Sequence, residues 1–173
     1  MIAPRMSFPG PVCLLLATAL IAAASSLVAA EHAKGKLTFQ GAKKSFTLDL
    51  KHAYLVSGPD TFDEKRIIRR LVFTVNDFTA PIKEAKGLGG FDGSLMEGMV
   101  VNLDGGPRLT YWLVLDGQLV QYSGIVEPSA LKAKVDVPDH LAGKLVFDDS
   151  SSSGPNVAVE FDAPLLKSFT KAE

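Results

Sequence analysis

The sequence predicts an all-β fold: a single antiparallel β-sandwich of immunoglobulin-like, two-sheet architecture with about nine strands. A closed or partly open β-barrel is the alternative. Three observations lead there. Apolar and polar residues alternate with period two along most of the chain, turn signals rich in glycine separate the alternating runs, and only the stretch near 77–98 breaks the rhythm. Period two places one face of each strand on a core and the other in water, a pattern that sandwich and barrel share.

Residues 1–30 are set apart from that domain. Arg5 gives the amino end a positive charge, Leu14 to Val28 is apolar but rich in Ala and Ser, and Val28-Ala29-Ala30 offers the small residues of a cleavage site. This is the pattern of an export signal, with the mature chain starting at Glu31 and the single domain covering 31–173. Cys13 is the single cysteine of the 173-residue chain and lies within that signal, so disulfide and thiolate chemistry are not expected of the domain. Export without cysteine points to a bacterial periplasmic or extracellular protein. Acidic and basic residues are nearly balanced, 19 Asp and Glu against 18 Lys and Arg, which argues against a nucleic-acid partner. A second apolar run long enough to span a membrane is not seen after the signal.

The strands then follow in order. Leu37 and Phe39 share a face in "GKLTFQ", and a longer alternating run covers about 44–57. Runs at about 66–76, 98–104, 108–116 and 118–124 come next, the last two joined by Asp116-Gly117. That dipeptide favours a type I′ hairpin turn, because both central residues must take positive φ. "LKAKVDV" (131–137), "GKLVFD" (143–148) and "NVAVEFD" (156–162) complete the set, with Ser150 to Asn156 as the last turn. Between the third and fourth runs, Pro81 followed by "IKEAK" opens one or two helical turns that the following glycines stop. "GKLTFQ" and "GKLVFD" each open a similar hairpin, so an internal duplication is a further expectation.

Several short motifs are shared with a loose group of uncharacterised exported bacterial all-β proteins. They are the opening Gly35, Leu37 and Gly41, the "HAY" strand (His52 to Tyr54), a middle strand running from Val72 to Pro81, and a closing "FDAP" (Phe161 to Pro164). The chain resembles that group over most of its mature length. The resemblance implies an exported, single-domain β protein and carries no assigned activity.

Three places could carry function. In the Asp116-Gly117 hairpin, Thr110, Trp112, Gln121 and Ser123 fall on one face, Trp112 opposite Gln121. They could stack on a sugar or peptide, although the insert at 77–98 is expected to fold over Trp112. Arg69 and Arg70, with Lys65 and Arg66, crowd one strand end and could hold an anion through guanidinium forks. The competing and favoured expectation is an edge strand blunted by charge. His52, with Tyr54 beside it, is placed by strand parity on the same face as Leu48 and Leu50. It is expected there as a core histidine hydrogen-bonded by Tyr54 or a neighbouring backbone.

Catalytic and metal signatures are missing from the sequence. His32 and His140 form no metal-ligand spacing, Asp148 and Asp149 point apart in an extended strand, and neither an elbow nor a phosphate loop is present. No cofactor is expected. The domain is read as non-catalytic, binding a protein, peptide or glycan partner. The alternatives are a small hydrolase or lyase assembled from His52, Tyr54, a loop carboxylate and Arg70, and a barrel-type carrier of an apolar ligand.

Overall fold

In the computed structural model, residues 31–173 are described, apart from the side chains of residues 119–121. The export segment read from residues 1–30 lies outside them. The fold is all-β, with ten strands: β1 (Ala33–Gln40), β2 (Ser45–Leu50), β3 (His52–Pro59), β4 (Ile67–Thr74), β5 (Gly98–Asn102), β6 (Leu109–Leu115), β7 (Gln118–Val126), β8 (Leu131–Val137), β9 (His140–Asp148) and β10 (Asn156–Ser168). One helix, α1 (Thr79–Glu84), lies between β4 and β5.

The strands form one continuous mixed sheet curled into a half-barrel, in the order β2-β1-β10-β3-β4-β5-β6-β7, with β9 also on β10 and β8 on β9. β10 joins two arms. Its first half pairs antiparallel with β1 and β9, and its last residues pair parallel with β3, from Leu165↔Leu55 to Ser168↔Ser57. The two arms face one another across a shared core, as the faces of a sandwich do, but the sheet that carries them is unbroken. Leu37, Leu48, Val157 and Leu145 come from the first arm, and Leu55, Leu71, Phe73 and Leu113 from the second. The Phe73 and Phe161 rings meet edge to face at 5.4 Å across that core.

The Asp116-Gly117 turn forms as its chemistry requires, with φ of 52° and 69°. Around it the register departs from the expected ladder. Leu115 pairs with Gln118, but Leu113 pairs with Tyr122 and Trp112 with Ser123, so Trp112 is not opposite Gln121. The slip between Leu113 and Leu115 is a bulge; because it moves β7 by two residues, Thr110, Trp112 and Ser123 still share a face.

A second register break reverses the expected face of His52. Leu48 and Leu50 lie in the shared core, and so do Ala53 and Leu55, three residues beyond Leu50 rather than two. Lys51 is the extra step: its N–H donates to the Thr74 carbonyl while its own carbonyl accepts from Ala33 N–H. β2 and β3 are therefore one long run broken at Lys51. His52, Tyr54 and Val56 consequently face outward, away from Leu48 and Leu50.

That outer face is not wet. Residues 77–97 and the tail after β10 lie across it and build a second apolar cluster from Tyr54, Val56, Val72, Ile82, Phe91 and Phe169. Three polar anchors hold this cover. Tyr54 Oη donates to Asp77 Oδ1 at 2.8 Å and accepts Phe78 N–H, while Asp77 also accepts from the Thr79 N–H and hydroxyl and so starts α1. Lys167 Nζ donates to the carbonyls of Lys83 and Ala85 at the other end of α1. The third anchor, Arg70, belongs to the site described below.

At the far side of the shared core, Asp149 accepts from the hydroxyls of Tyr111 (2.7 Å) and Tyr122 (3.2 Å), tying the β9–β10 loop to β6 and β7. Asp148 accepts Ser150 N–H within the same loop. The protein has three tyrosines, and burial raises the hydroxyl pKa of each, with Asp77 or Asp149 adding to the effect. The linkage sign follows: a raised folded pKa gives stability that is complete below the unfolded value of about 10 and is lost as pH climbs above it. Tyrosinate absorbance of the native protein is therefore expected to rise only together with loss of β-sheet circular dichroism, above pH 10. Three tyrosines titrating near pH 10 in a chain still folded would contradict these bonds.

Candidate functional site

The arginine run at the start of β4 is not an edge. β4 lies between β3 and β5, so neither a blunted edge nor a free cationic patch describes it. Each guanidinium is taken by a carboxylate. Arg69, on the shared-core side, donates to Asp104 of the β5–β6 loop at 2.8 Å and to Asp136 of β8, and these bonds raise its pKa further. It staples the mouth between the two arms.

Arg70 points to the outer face and is 5% exposed. Its Nε donates to Asn102 Oδ1 at 2.9 Å, and its Nη1 to the Leu88 carbonyl at 3.1 Å and to Asp92 at 3.2 Å. Its guanidinium stacks 4.9 Å from the Trp112 ring. The pair is poorly solvated. Burial pushes the Asp92 carboxyl up to about 6 against the opposing pull of Arg70, and lowers the Arg70 pKa.

Arg70 and Trp112 form the floor of an open cleft of about 690 Å³. Across the strands the floor runs from Arg70 on β4 through Asn102 on β5 and Thr110 and Trp112 on β6 to Ile125 on β7. One wall is the β3–β4 loop and the other is Gly105 to Arg108 of the β5–β6 loop. The first wall is braced. Asp60, 5% exposed, accepts the Phe62 N–H and both Nε and Nη2 of Arg66, and the Asp60 N–H donates to the Arg66 carbonyl. The Phe62 N–H first, and then the Arg66 guanidinium, hold the Asp60 carboxyl below its ordinary range. This brace leaves Phe62 95% exposed at the lip of the cleft, with Ile125 58% exposed on the floor. Phe62, Ile125 and the exposed part of Trp112 together give this cleft an apolar lining open to water.

The sequence-derived candidates are divided by this geometry. Trp112, Thr110 and Arg70 come together in the cleft. Trp112 is half-buried: it packs partly against the cluster beneath the 77–97 cover, as expected, and partly lines the cleft. Ser123 shares the face of Trp112 across the ladder, the Gln121 side chain lies outside the described residues, and Arg69 is on the opposite side of the sheet. Phe62, Asp60, Asn102 and Arg108 were not anticipated. Phe62 had a signal in the sequence: a lone aromatic inside the polar run "PDTFDEKR", where a buried role has no neighbours to share it.

His52 and Tyr54 lie elsewhere on the outer face. Their rings stack 6.3 Å apart at 9°, with the Tyr54 hydroxyl on Asp77. His52 is 8% exposed, and its Nδ1 has no hydrogen-bond partner. The expected bond from Tyr54 or a neighbouring backbone is thus not made, because the Tyr54 hydroxyl is already engaged by Asp77 and Phe78. A histidine covered in this way offers a substrate no approach.

Among the described residues, no group of three His, Cys, Asp or Glu side chains is placed to hold a metal ion, and no helix is long and apolar enough to cross a membrane. No family model, no curated protein and no solved structure matches the chain.

Proposed function

We propose that this chain is an exported, non-catalytic binding module of the bacterial envelope or exterior, and that it engages its partner in the cleft between the β3–β4 and β5–β6 loops. One observation carries the reading: a braced loop presents Phe62 to water beside a floor of Trp112, Thr110 and Ile125. A monomer gains nothing in stability from that arrangement, whereas a partner that covers it recovers the burial of a phenylalanine, roughly 2 kcal/mol. Export rests on the composition of residues 1–30, and the resemblance to exported bacterial β proteins supports it. A hydrolase built on His52 is the weaker reading, since the imidazole is covered and the groups around it serve to anchor α1.

The test has two parts. Expressed with residues 1–30 intact, the protein is expected outside the cytoplasm with Glu31 as its first residue. Retention in the cytoplasm at full length overturns the export part. In a binding screen of glycans and peptides, hits are expected to disappear with the paired change Phe62→Ser and Ile125→Ser. These exposed positions should leave the unfolding midpoint nearly unchanged. Hits indifferent to that pair would move the site away from the cleft.

A further inference from the structure

We infer that the partner in the cleft is a short extended peptide segment carrying an acidic side chain next to a large apolar one. The inference rests on the cleft reading above and names its occupant. Three arginines, Arg66, Arg70 and Arg108, line the cleft with one carboxylate, Asp60, while Asp92 and Glu127 pair with Arg70 and Arg108 from outside the lining. Asp60 has no capacity left: it is buried and already accepts from Arg66 and from Phe62 N–H. The arginines do have capacity. Arg66 engages Asp60 through Nε and Nη2, and Arg70 uses Nε and Nη1 for its three partners. Each therefore keeps one terminal nitrogen outside those bonds. Arg108 holds Glu127 at 3.1 Å, but both side chains are well exposed, so the pair contributes little and can be exchanged for a ligand carboxylate. The pairs leave the cleft with little net charge, but the groups its lining presents to a ligand are guanidinium donors suited to a carboxylate.

The remaining lining separates a peptide from a sugar. Ring hydroxyls of a glycan are well served by carboxylate acceptors, and the one carboxylate here is occupied, leaving only the Thr61 and Thr110 hydroxyls as side-chain acceptors of the wall and floor. Phe62, Trp112 and Ile125 instead offer apolar contact on both sides of the arginines. From β4 to β7 the floor crosses three strand spacings, roughly 14 Å, which matches about four residues of extended chain. Such a segment sets its acidic side chain over Arg70 and Arg108 and its apolar side chain between Trp112 and Phe62 or Ile125.

The experiment pans a displayed library of random dodecapeptides against residues 31–173 and measures the selected sequences, as synthetic peptides, by the emission of the single tryptophan, Trp112. Enrichment of Asp or Glu beside an aromatic or aliphatic residue is expected. Affinity should fall about tenfold in Arg108→Glu and weaken with salt. Phe62→Ser should weaken binding independently of salt. Failure to enrich any peptide, enrichment without acidic residues, or equal affinity for Arg108→Glu overturns the inference. A uronate oligosaccharide that shifts Trp112 emission while no peptide is enriched also overturns it, but leaves the cleft as a binding site. Selected peptides that bind equally well after the paired Phe62→Ser and Ile125→Ser change would sink both.

Discussion

Gly35→Ala is expected to destabilise the domain by roughly 3 kcal/mol, a large effect for one methyl group. Gly35 sits in β1 between two ladders, opposite Leu50 of β2 and Val159 of β10. A Cβ built there lies 2.2 Å from the Ala158 carbonyl oxygen and 2.4 Å from the Val159 Cα. Neither is the tip of a flexible side chain, so relief requires the β1–β10 ladder to part at the centre of the first arm. Gly93→Ala is the control, since its Cβ meets nothing within 4 Å. Urea unfolding measures both: a lower midpoint with unchanged slope is expected for Gly35→Ala only. Equal stability of the two variants would show that β10 approaches β1 less closely than this.

Arg70→Ala is the second large effect, about 4 kcal/mol at neutral pH, or a drop of roughly 10 °C or more in Tm. The change strands the Asp92 carboxylate under the cover, removes the donors to Asn102 and the Leu88 carbonyl, and takes the cation from Trp112. The deficit should shrink on acidification. The Asp92 carboxyl is raised by burial to about 6 in the native protein, so its protonated form favours folding. Its contribution is complete below the unfolded value of about 3.9 and is lost as pH rises through the folded one. Removing Arg70 takes away the opposing pull and raises that carboxyl further, so the variant regains more stability between pH 7 and pH 5 than the native protein does. A deficit that does not vary with pH would mean that Asp92 is hydrated in the variant. Arg70→Met with Asp92→Leu is expected to recover much of the loss, because an apolar pair of similar volume removes the desolvation penalty of both charges.

Strand chemistry was the most legible part of this sequence. The turn at Asp116-Gly117 and the alternation of Leu145 to Phe161 follow from local rules, and both stand in the structure. In β8 a bulge after Ala133 reverses the alternation, so Asp136 pairs with Leu141 and Val137 is exposed. What local rules miss is a change of register. The break at Lys51 reverses the side chains of β3 from His52 onward, and nothing in "LDLKHAY" marks it, because its cause is Thr74 and Ala33 bonding to that one residue from two other strands. The arginines failed for the same reason in another form. Their partners Asp92, Asp104 and Asp136 lie far along the chain, so sequence neighbourhood suggested a charged edge where tertiary pairing makes an interior strand. The cleft was half legible: Trp112 and Thr110 stand together on one hairpin face and Arg70 in another place, and only the pairing of β4, β5 and β6 brings them together.

β10 also governs when this protein can exist. It is paired with β1, β9 and β3, so the first and last of the described strands are direct neighbours. Until β10 has emerged from whatever makes or carries the chain, the two arms have no seam, and β1 and β3 each present an unsatisfied ladder. Sequence separations this large slow folding and lengthen the time for which those edges are open to other chains. A chain that cannot close early stays extended for longer than one whose neighbours in sequence are also neighbours in space.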